Sequence, residues 1–468
     1  MERGDYVLWM SVIRDSKVTM TRQVFQQIRE KILEGELQAG MRLPSTRELA
    51  SELHVSRNIM VEVYEMLLAE GYVTSLQGSG TYVAEGASII RTSAETAGSS
   101  LISRSGKQGK AVVDFRSGLP ALDLFPITKW GSIYKELCGS IDSALLGYGS
   151  PAGCIGLRSV LSLYLHNTRG VSCKPENMII TTGAVQALQL LTSLLLSKGD
   201  GIFLEDPSNH DLQRIFSYSG AVIKPVPVDS RGIRTDMLNT SENARLIYVT
   251  PSHQFPLGGL LPIQRRIELV NFARATGCYI VEDDYDSEYR YEGPAVSSLQ
   301  SLDPDRVIYV GTFSKILYPS LRIGYLVLPE SLVAACTRLK RHSDFQTPLL
   351  EQRTLARFIE DGLLSRHIGR MKKVYRGRQD VLVECLGKTF GSHCRVSGNS
   401  TGLHLIAEFD FKITGEQLYR LKNAGVRVYP VELHSIVRGD HANKLIMGYG
   451  HLAEDQIREG VRRLAIIL

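Results

Sequence analysis

The sequence has no apolar run approaching the ~18 to 20 residues needed to cross a bilayer. Its start, MERGDYVLWMSVIRD, carries acidic residues and no small-residue cleavage site behind an apolar stretch, so no secretory leader is expected and the protein is placed in the cytoplasm. Paired cysteines are missing too. Seven are scattered at positions 138, 154, 173, 278, 336, 385 and 394, an odd number with no CxxC spacing, so neither a disulfide framework nor a zinc site is implied, and they read as reduced packing residues. Strong charge of one sign is absent: the net charge is +5, and residues 1–86 carry 9 Lys and Arg against 12 Asp and Glu. Bulk charge gives no argument for nucleic acid; such an argument must rest on where individual cations lie.

What is present is an ordinary globular composition, 43% hydrophobic and 22% charged, in 468 residues, more than one typical domain. Residues 18–86 hold short helical patterns ending in a Gly-rich hairpin. From Ala87 to about residue 111 the chain (ASIIRTSAETAGSSLISRSGKQ and onward) is rich in Ser, Gly, Ala and Thr without apolar period, which reads as a flexible linker. Beyond it, over 112–468, apolar runs such as MIITT (178–182), GIFLE (201–205), RLIYVT (245–250), CYIVEDD (278–284) and RVIYVGTF (306–313) alternate with helical stretches. Nearly continuous apolar strands are buried on both faces, as in a mainly parallel sheet covered by helices. The expected class is α/β, with the shorter segments GLHLIAEF and KLIMGYG of the last ~80 residues forming a smaller α+β lobe.

In the first segment, Val24, Phe25, Ile28, Ile32 and Leu33 recur at helical spacing. Ser45 can cap a second helix, with Glu48 completing a capping box. A turn at His54-Val55 leads to Ser56-Arg57-Asn58, which opens a third helix expected to carry Val63, Tyr64, Leu67 and Leu68 inward. Two helices joined by a tight turn, the second opening on polar residues, can present a helix end to the major groove. The hairpin YVTSLQGSGTYV (72–83) would add a wing, with Gly78-Ser79-Gly80 permitting a tight turn. The segment resembles the DNA-binding domain of the GntR regulator family, a winged helix-turn-helix. The resemblance implies contact with double-stranded DNA through Arg47 and Arg57, supported by Arg42, Ser45, Thr46, Ser56, Asn58 and Gly80.

In the large segment, Lys315 follows a strand in Gly311-Thr312-Phe313-Ser314-Lys315, with Arg322 seven residues on. Thr312, Ser314 and Arg322 suit a phosphate dianion, and a lysine beside it suits an aldehyde cofactor. Asp283 ends another strand, where a carboxylate can pair with a protonated pyridine nitrogen; Tyr285 can hydrogen-bond the ring's phenolic oxygen. Gly183, Ala184 and Val185 join a strand to a helix and can offer backbone N–H groups to the phosphate. Together these residues resemble fold-type I aminotransferases and imply pyridoxal 5′-phosphate as cofactor. The resemblance extends through DFRSGLPALDLFP, GYGSPAG, TPSHQFPLGG and GLHL, and the combination is similar to the MocR/GabR subfamily of GntR regulators, which implies a head-to-tail homodimer. Within that resemblance Tyr148 matches the tyrosine that reaches the neighbouring subunit's phosphate, and His210 follows the position of the ring-stacking aromatic.

Departures from the pattern are informative. Phe255 replaces the Asn of the aminotransferase NPTG motif, with Gln254 or His253 as candidates to compensate. The stacking region reads Asn209-His210-Asp211, and Arg214, Arg427, Arg438 and Lys444 give no clean counterpart for a carboxylate-binding arginine. The leading expectation is a regulator that senses an amine or amino acid by forming an external aldimine in place of Lys315. An active aminotransferase with an appended DNA-binding domain, and a domain that only dimerises, remain the alternatives.

Overall fold

The computed structural model describes residues 10–16, 18–76, 79–87, 112–241 and 244–468. The expected linker therefore lies outside the described residues from position 88 onward, as does Gly78 at the wing tip. The chain divides into two compact units, Met1–Ser105 and Gly106–Leu468.

The first unit is built on α1 (Met20–Leu33), α2 (Thr46–Glu52) and α3 (Arg57–Ala69), followed by β1 (Val73–Leu76) and β2 (Gly80–Val83). Ser45 and Glu48 form the capping box foreseen: the Glu48 amide donates to Ser45 Oγ at 3.2 Å and the Ser45 amide to Glu48 Oε2 at 2.7 Å. Each satisfies a donor that the helix start leaves unpaired. Between α2 and α3, His54 turns the chain in the left-handed region at φ +52°, where His is one of the few residues tolerated. The apolar stripes converge on a core of Val24, Phe25, Ile28, Ile32, Leu49, Met60, Val63, Tyr64 and Leu67. Leu68 departs from expectation: it is 38% exposed, because Met60, Val63, Tyr64 and Leu67 already fill the inward stripe of α3. β1 and β2 pair antiparallel, and a single antiparallel bridge joins Arg42 to Tyr82 on the wing.

In the second unit, eight strands make one sheet: β3 (Met178–Thr181), β4 (Gly201–Asp206), β5 (Val222–Asp229), β6 (Gly232–Ile233), β7 (Ala244–Val249), β8 (Tyr279–Asp284), β9 (Val307–Thr312) and β10 (Gly324–Val327). Their order is β3-β10-β9-β8-β7-β4-β5-β6. Pairs β9–β8, β8–β7, β7–β4 and β4–β5 are parallel; β10 runs against both its neighbours, and β6 runs against β5. The central strands are buried along nearly their whole length, as continuous apolar runs require. Helices including α4 (Ala184–Leu195) and α5 (His210–Tyr218) cover the sheet. A smaller lobe carries α6 (Leu363–Phe390) and a four-stranded antiparallel sheet of β11 (Cys394–Ser397), β12 (His404–Phe409), β13 (Tyr429–Pro430) and β14 (Lys444–Gly448). The segment Val113–Asp114 joins this lobe, pairing in parallel with Val426–Arg427. Among the described residues no helix is long and apolar enough to cross a membrane.

Candidate functional site

The large sheet aims one edge of chemistry at a single place. Thr181 at the end of β3, Asp283 near the end of β8 and Thr312 at the end of β9 all lie at carboxyl ends of strands, where open α/β sheets bind ligands. A cavity of about 530 Å³ opens there, and Ala184, Val185, Asp283, Tyr285, Thr312, Ser314, Lys315 and Arg322 all line it. Residues from separate stretches of sequence thus meet around one lysine.

The acidic run Glu282-Asp283-Asp284 shows why only one carboxylate reaches the cavity. Side chains alternate across a strand, so Glu282 and Asp284 face away from Asp283. Glu282 accepts the amides of Leu299 and Gln300, each at 2.9 Å. Asp284 forms a buried pair with Arg169 at 2.8 Å and accepts the Tyr309 hydroxyl at 2.6 Å. Asp283 faces the cavity. Its Oδ2 accepts the Tyr248 hydroxyl at 2.5 Å, and its Oδ1 is buried with no partner. Burial pushes the Asp283 carboxyl up to about 6, against the pull of that phenol. A buried carboxylate oxygen without a donor is a site for one, which a protonated ring nitrogen would supply.

The opposite end is cationic. Arg322 sits in the left-handed region at φ +53° and donates from Nη2 to the carbonyl of Thr182 at 2.8 Å. Its guanidinium lies against Gly183: a Cβ there would stand 2.7 Å from Nη2. Gly183, at φ +82°, directly precedes α4, whose free amides and dipole favour an anion. Thr312 donates to Ser314 Oγ at 3.1 Å, so two hydroxyls share the same rim. Burial pulls the Lys315 amine below the usual lysine value, and the Asp286 and Asp283 carboxylates oppose this. A lowered amine is free of its proton more of the time, as a nucleophile toward an aldehyde must be. The backbone closes on it at Gly118, where a Cβ would stand 2.7 Å from Nζ.

Tyr285 lines the cavity, but its hydroxyl is engaged by His253, lying 2.9 Å from the backbone carbonyl and 3.0 Å from Nδ1. Nδ1 also lies 2.9 Å from Asp286. If Nδ1–H donates to that carboxylate, Tyr285 must donate to the carbonyl and presents a lone pair to the cavity. His404 sits beside them, its ring 4.8 Å from that of His253 and its Nε2 2.9 Å from the carbonyl of Pro256. Burial drives His404 down to about 3, so it is neutral. Ligand atoms of His253, Asp286 and His404 fall within 4.8 Å of one another, a grouping that the cysteine-based search of the sequence did not raise.

Other expectations fall elsewhere. His210 does not line the cavity; it is the first residue of α5, and its neighbours Asn209 and Asp211 form the wall instead. Tyr148 is 86% exposed, its ring 4.9 Å from that of Phe345, and it does not line its own chain's cavity. Phe255 does line the wall where the motif has Asn. Gln254 does not compensate: its amide is spent on Pro207 and Phe255 carbonyls, at 2.9 and 2.7 Å. Arg214, Arg427, Arg438 and Lys444 are likewise absent from the lining. Sequence reasoning missed Tyr248, Gly118, Arg116, His404, Tyr429 and His434. Tyr248 could have been flagged as the one phenol in the buried stretch Leu246–Val249, since a buried phenol seeks a partner.

In the reader, Arg42, Ser45, Arg47, Ser56, Arg57 and Asn58 are exposed or half-buried, while Thr46 and Gly80 keep part of their surface open. Arg47 and Arg57 lie in the first turns of α2 and α3, away from their buried residues.

Comparison with known proteins agrees with both units. Residues 20–83 match the gntR family of bacterial regulatory proteins, and residues 111–436 match the aminotransferase class I and II family. The chain is 36% identical over 96% of its length to the probable rhizopine catabolism regulatory protein MocR of Rhizobium meliloti, covering 94% of that protein. It is 31% identical over 93% of its length to the pyridoxine biosynthesis transcriptional regulator PdxR of Corynebacterium glutamicum, covering 93% of it. Among solved structures, 76% of the chain superposes on 91% of Pyrococcus horikoshii kynurenine aminotransferase, with a TM-score of 0.71 and 27% identity. It superposes similarly on LysN, the alpha-aminoadipate aminotransferase of Thermus thermophilus, which was solved with a phosphopyridoxyl-leucine adduct (TM-score 0.70, 28% identity, 76% of this chain and 92% of that one). The unpartnered Asp283 oxygen, the lowered Lys315 amine and the Gly183–Arg322 cradle fit pyridoxal 5′-phosphate, the cofactor of this domain. The chain belongs to the GntR family of DNA-binding transcription regulators, in the MocR/GabR-type branch whose helix-turn-helix is fused to an aminotransferase-like domain.

Proposed function

We propose that this regulator responds to an amine or amino acid that enters the Lys315 cavity, and that occupancy of the cavity alters how a dimer engages its operator. Pyridoxal 5′-phosphate supplies an aldehyde that amines engage and a ring that withdraws electrons. The Asp283 carboxylate would accept a hydrogen bond from a protonated ring nitrogen, and Tyr285 would face the ring oxygen. Arg322, Thr312, Ser314 and the amides of Gly183, Ala184 and Val185 hold the phosphate. Lys315 is the amine that the chain itself offers, and an effector amine competes with it. The reader spans 18–86, a tether 87–111, and the effector domain 112–468. Arg47 and Arg57 contact DNA, with Arg42, Ser45, Thr46, Ser56, Asn58 and Gly80 in support. The dimer is head-to-tail, with Tyr148 reaching the partner's phosphate, and the protein acts in the cytoplasm.

The observation that carries this reading is the unpartnered, buried Asp283 oxygen in the same cavity as Lys315. The purified protein should absorb at roughly 420 nm, and Lys315→Ala should lose the covalent attachment. Amino acids that shift this band should also change operator affinity in a mobility-shift assay. A colourless protein that cannot be reconstituted refutes the cofactor, and a spectral response with no change in operator affinity refutes the sensing role. The completeness of the lysine, carboxylate and phosphate cradle favours one second reading, an active aminotransferase. Oxo-acid release near the ~10 per second typical of enzymes would establish it.

A further inference from the structure

Three cations line the cavity: Lys315, Arg322 and Arg116. The first two are occupied in the proposed function, by the aldehyde and the phosphate. Arg116 has no part in it, and its surroundings leave its charge available. Its Nη2 is 3.4 Å from Asp114 and its Nε 3.4 Å from the Tyr429 hydroxyl, both at the long limit of a hydrogen bond. Asp114 is better served by others: it accepts the Tyr429 hydroxyl at 2.9 Å and the Arg116 amide at 3.1 Å, and Arg427 stands 3.9 Å away. One carboxylate thus faces two guanidinium groups, so Arg116 shares its nearest carboxylate with Arg427. The Arg116 side chain is 55% exposed, so a ligand can reach it without first desolvating a buried cation.

Position supports the same use. Gly118, two residues further on, leaves so little room that a Cβ there would stand 2.7 Å from the Lys315 amine. Two residues of chain span at most about 7 Å, so a guanidinium on residue 116 can meet a group a few ångströms from an amine placed at Nζ. That is the separation of the two ends of a small amino acid. The residues read from sequence as possible carboxylate partners stay outside the cavity.

We infer that Arg116 binds the carboxylate of the effector and makes this site selective for amino acids over plain amines. This rests on the sensing reading above. Arg116 takes a carboxylate because a planar fork of donors matches two oxygens, whereas an uncharged alkyl end would gain nothing from it.

The test uses the full-length protein loaded with pyridoxal 5′-phosphate and reads half-saturation from the change in cofactor absorbance. The probes are pairs differing only by a carboxylate: glycine and methylamine, D- or L-alanine and ethylamine, 4-aminobutyrate and propylamine. The wild type should favour the acid of at least one pair more than tenfold. Arg116→Gln should erase most of that preference by raising the half-saturation for the acid, moving the plain amine less than twofold. Arg116→Lys should retain part of the preference, which separates loss of charge from misfolding. A wild type that binds amines without favouring any acid overturns the assignment, as does a preference that survives in Arg116→Gln. If neither member of any pair changes the absorbance, the sensing reading fails and the assignment falls with it.

Discussion

Replacing Tyr248 by Phe removes one hydroxyl and tests how Asp283 is kept ready for the cofactor. That hydroxyl is the sole hydrogen-bond donor to Asp283 among the described residues, at 2.5 Å, and the carboxyl it supports is held at about 6. At pH 7 about ten molecules in eleven therefore carry an ionised Asp283. A hydrogen bond to a charged group contributes about 1.5–3 kcal/mol, and a tenfold change in protonation corresponds to about 1.4 kcal/mol. Its loss raises the pH at which Asp283 gives up its proton by roughly one to two pH units. Only the ionised form can receive a protonated ring nitrogen, so apparent affinity scales with the ionised fraction. In the wild type, cofactor binding should weaken as pH falls through about 6. The variant should bind roughly 2- to 10-fold more weakly at pH 7 and 5- to 50-fold more weakly at pH 6, converging with the wild type near pH 9. Titration of apo-protein with pyridoxal 5′-phosphate, followed by absorbance, measures all three. A loss by the same factor at pH 6 and pH 9 would refute the argument, because lost packing does not depend on pH.

Gly183→Ala sets a Cβ 2.7 Å from Arg322 Nη2 at a backbone φ of +82°. It should weaken pyridoxal 5′-phosphate binding at least tenfold while leaving phosphate-free pyridoxal little changed; equal loss for both would remove Arg322 from the phosphate site. Arg169→Met breaks a buried pair and strands Asp284, whose Oδ1 already lacks a partner. Urea unfolding should register a loss of about 3–5 kcal/mol, and a loss under about 1 kcal/mol would mean that the carboxyl simply takes up a proton. Arg57→Ala should reduce operator affinity by about 1–3 kcal/mol at fixed salt, with the cofactor spectrum unchanged; fluorescence anisotropy on a labelled operator decides it.

The α/β architecture was readable because parallel strands buried on both faces write themselves as nearly continuous apolar runs: β9 reads VIYVGT, β7 is interrupted only by Arg245, and β8 is apolar up to Glu282-Asp283-Asp284. Asp283 could be preferred over its acidic neighbours only with Lys315 as a partner, and strand alternation then explains why it alone faces inward. The capping box was legible for the same local reason: its two residues are three apart in the chain. What could not be read was long-range. Tyr248 meets Asp283 across 35 residues, and Tyr429 meets Asp114 across 315. Nothing in local spacing encodes such pairs. Leu68 was misplaced because a helix fixes which residues share a face but not how wide the buried face is.

Gly118 lies so close to Lys315 that a Cβ on it would stand 2.7 Å from Nζ. Val113 and Asp114 are already hydrogen-bonded to the small lobe through Val426 and Arg427. The wall over the reactive amine is therefore a stretch of chain fastened to the small lobe only about four residues upstream. Any displacement of Gly118 has little length in which to dissipate. A displacement of the cavity wall is in effect a displacement at the edge of the small lobe.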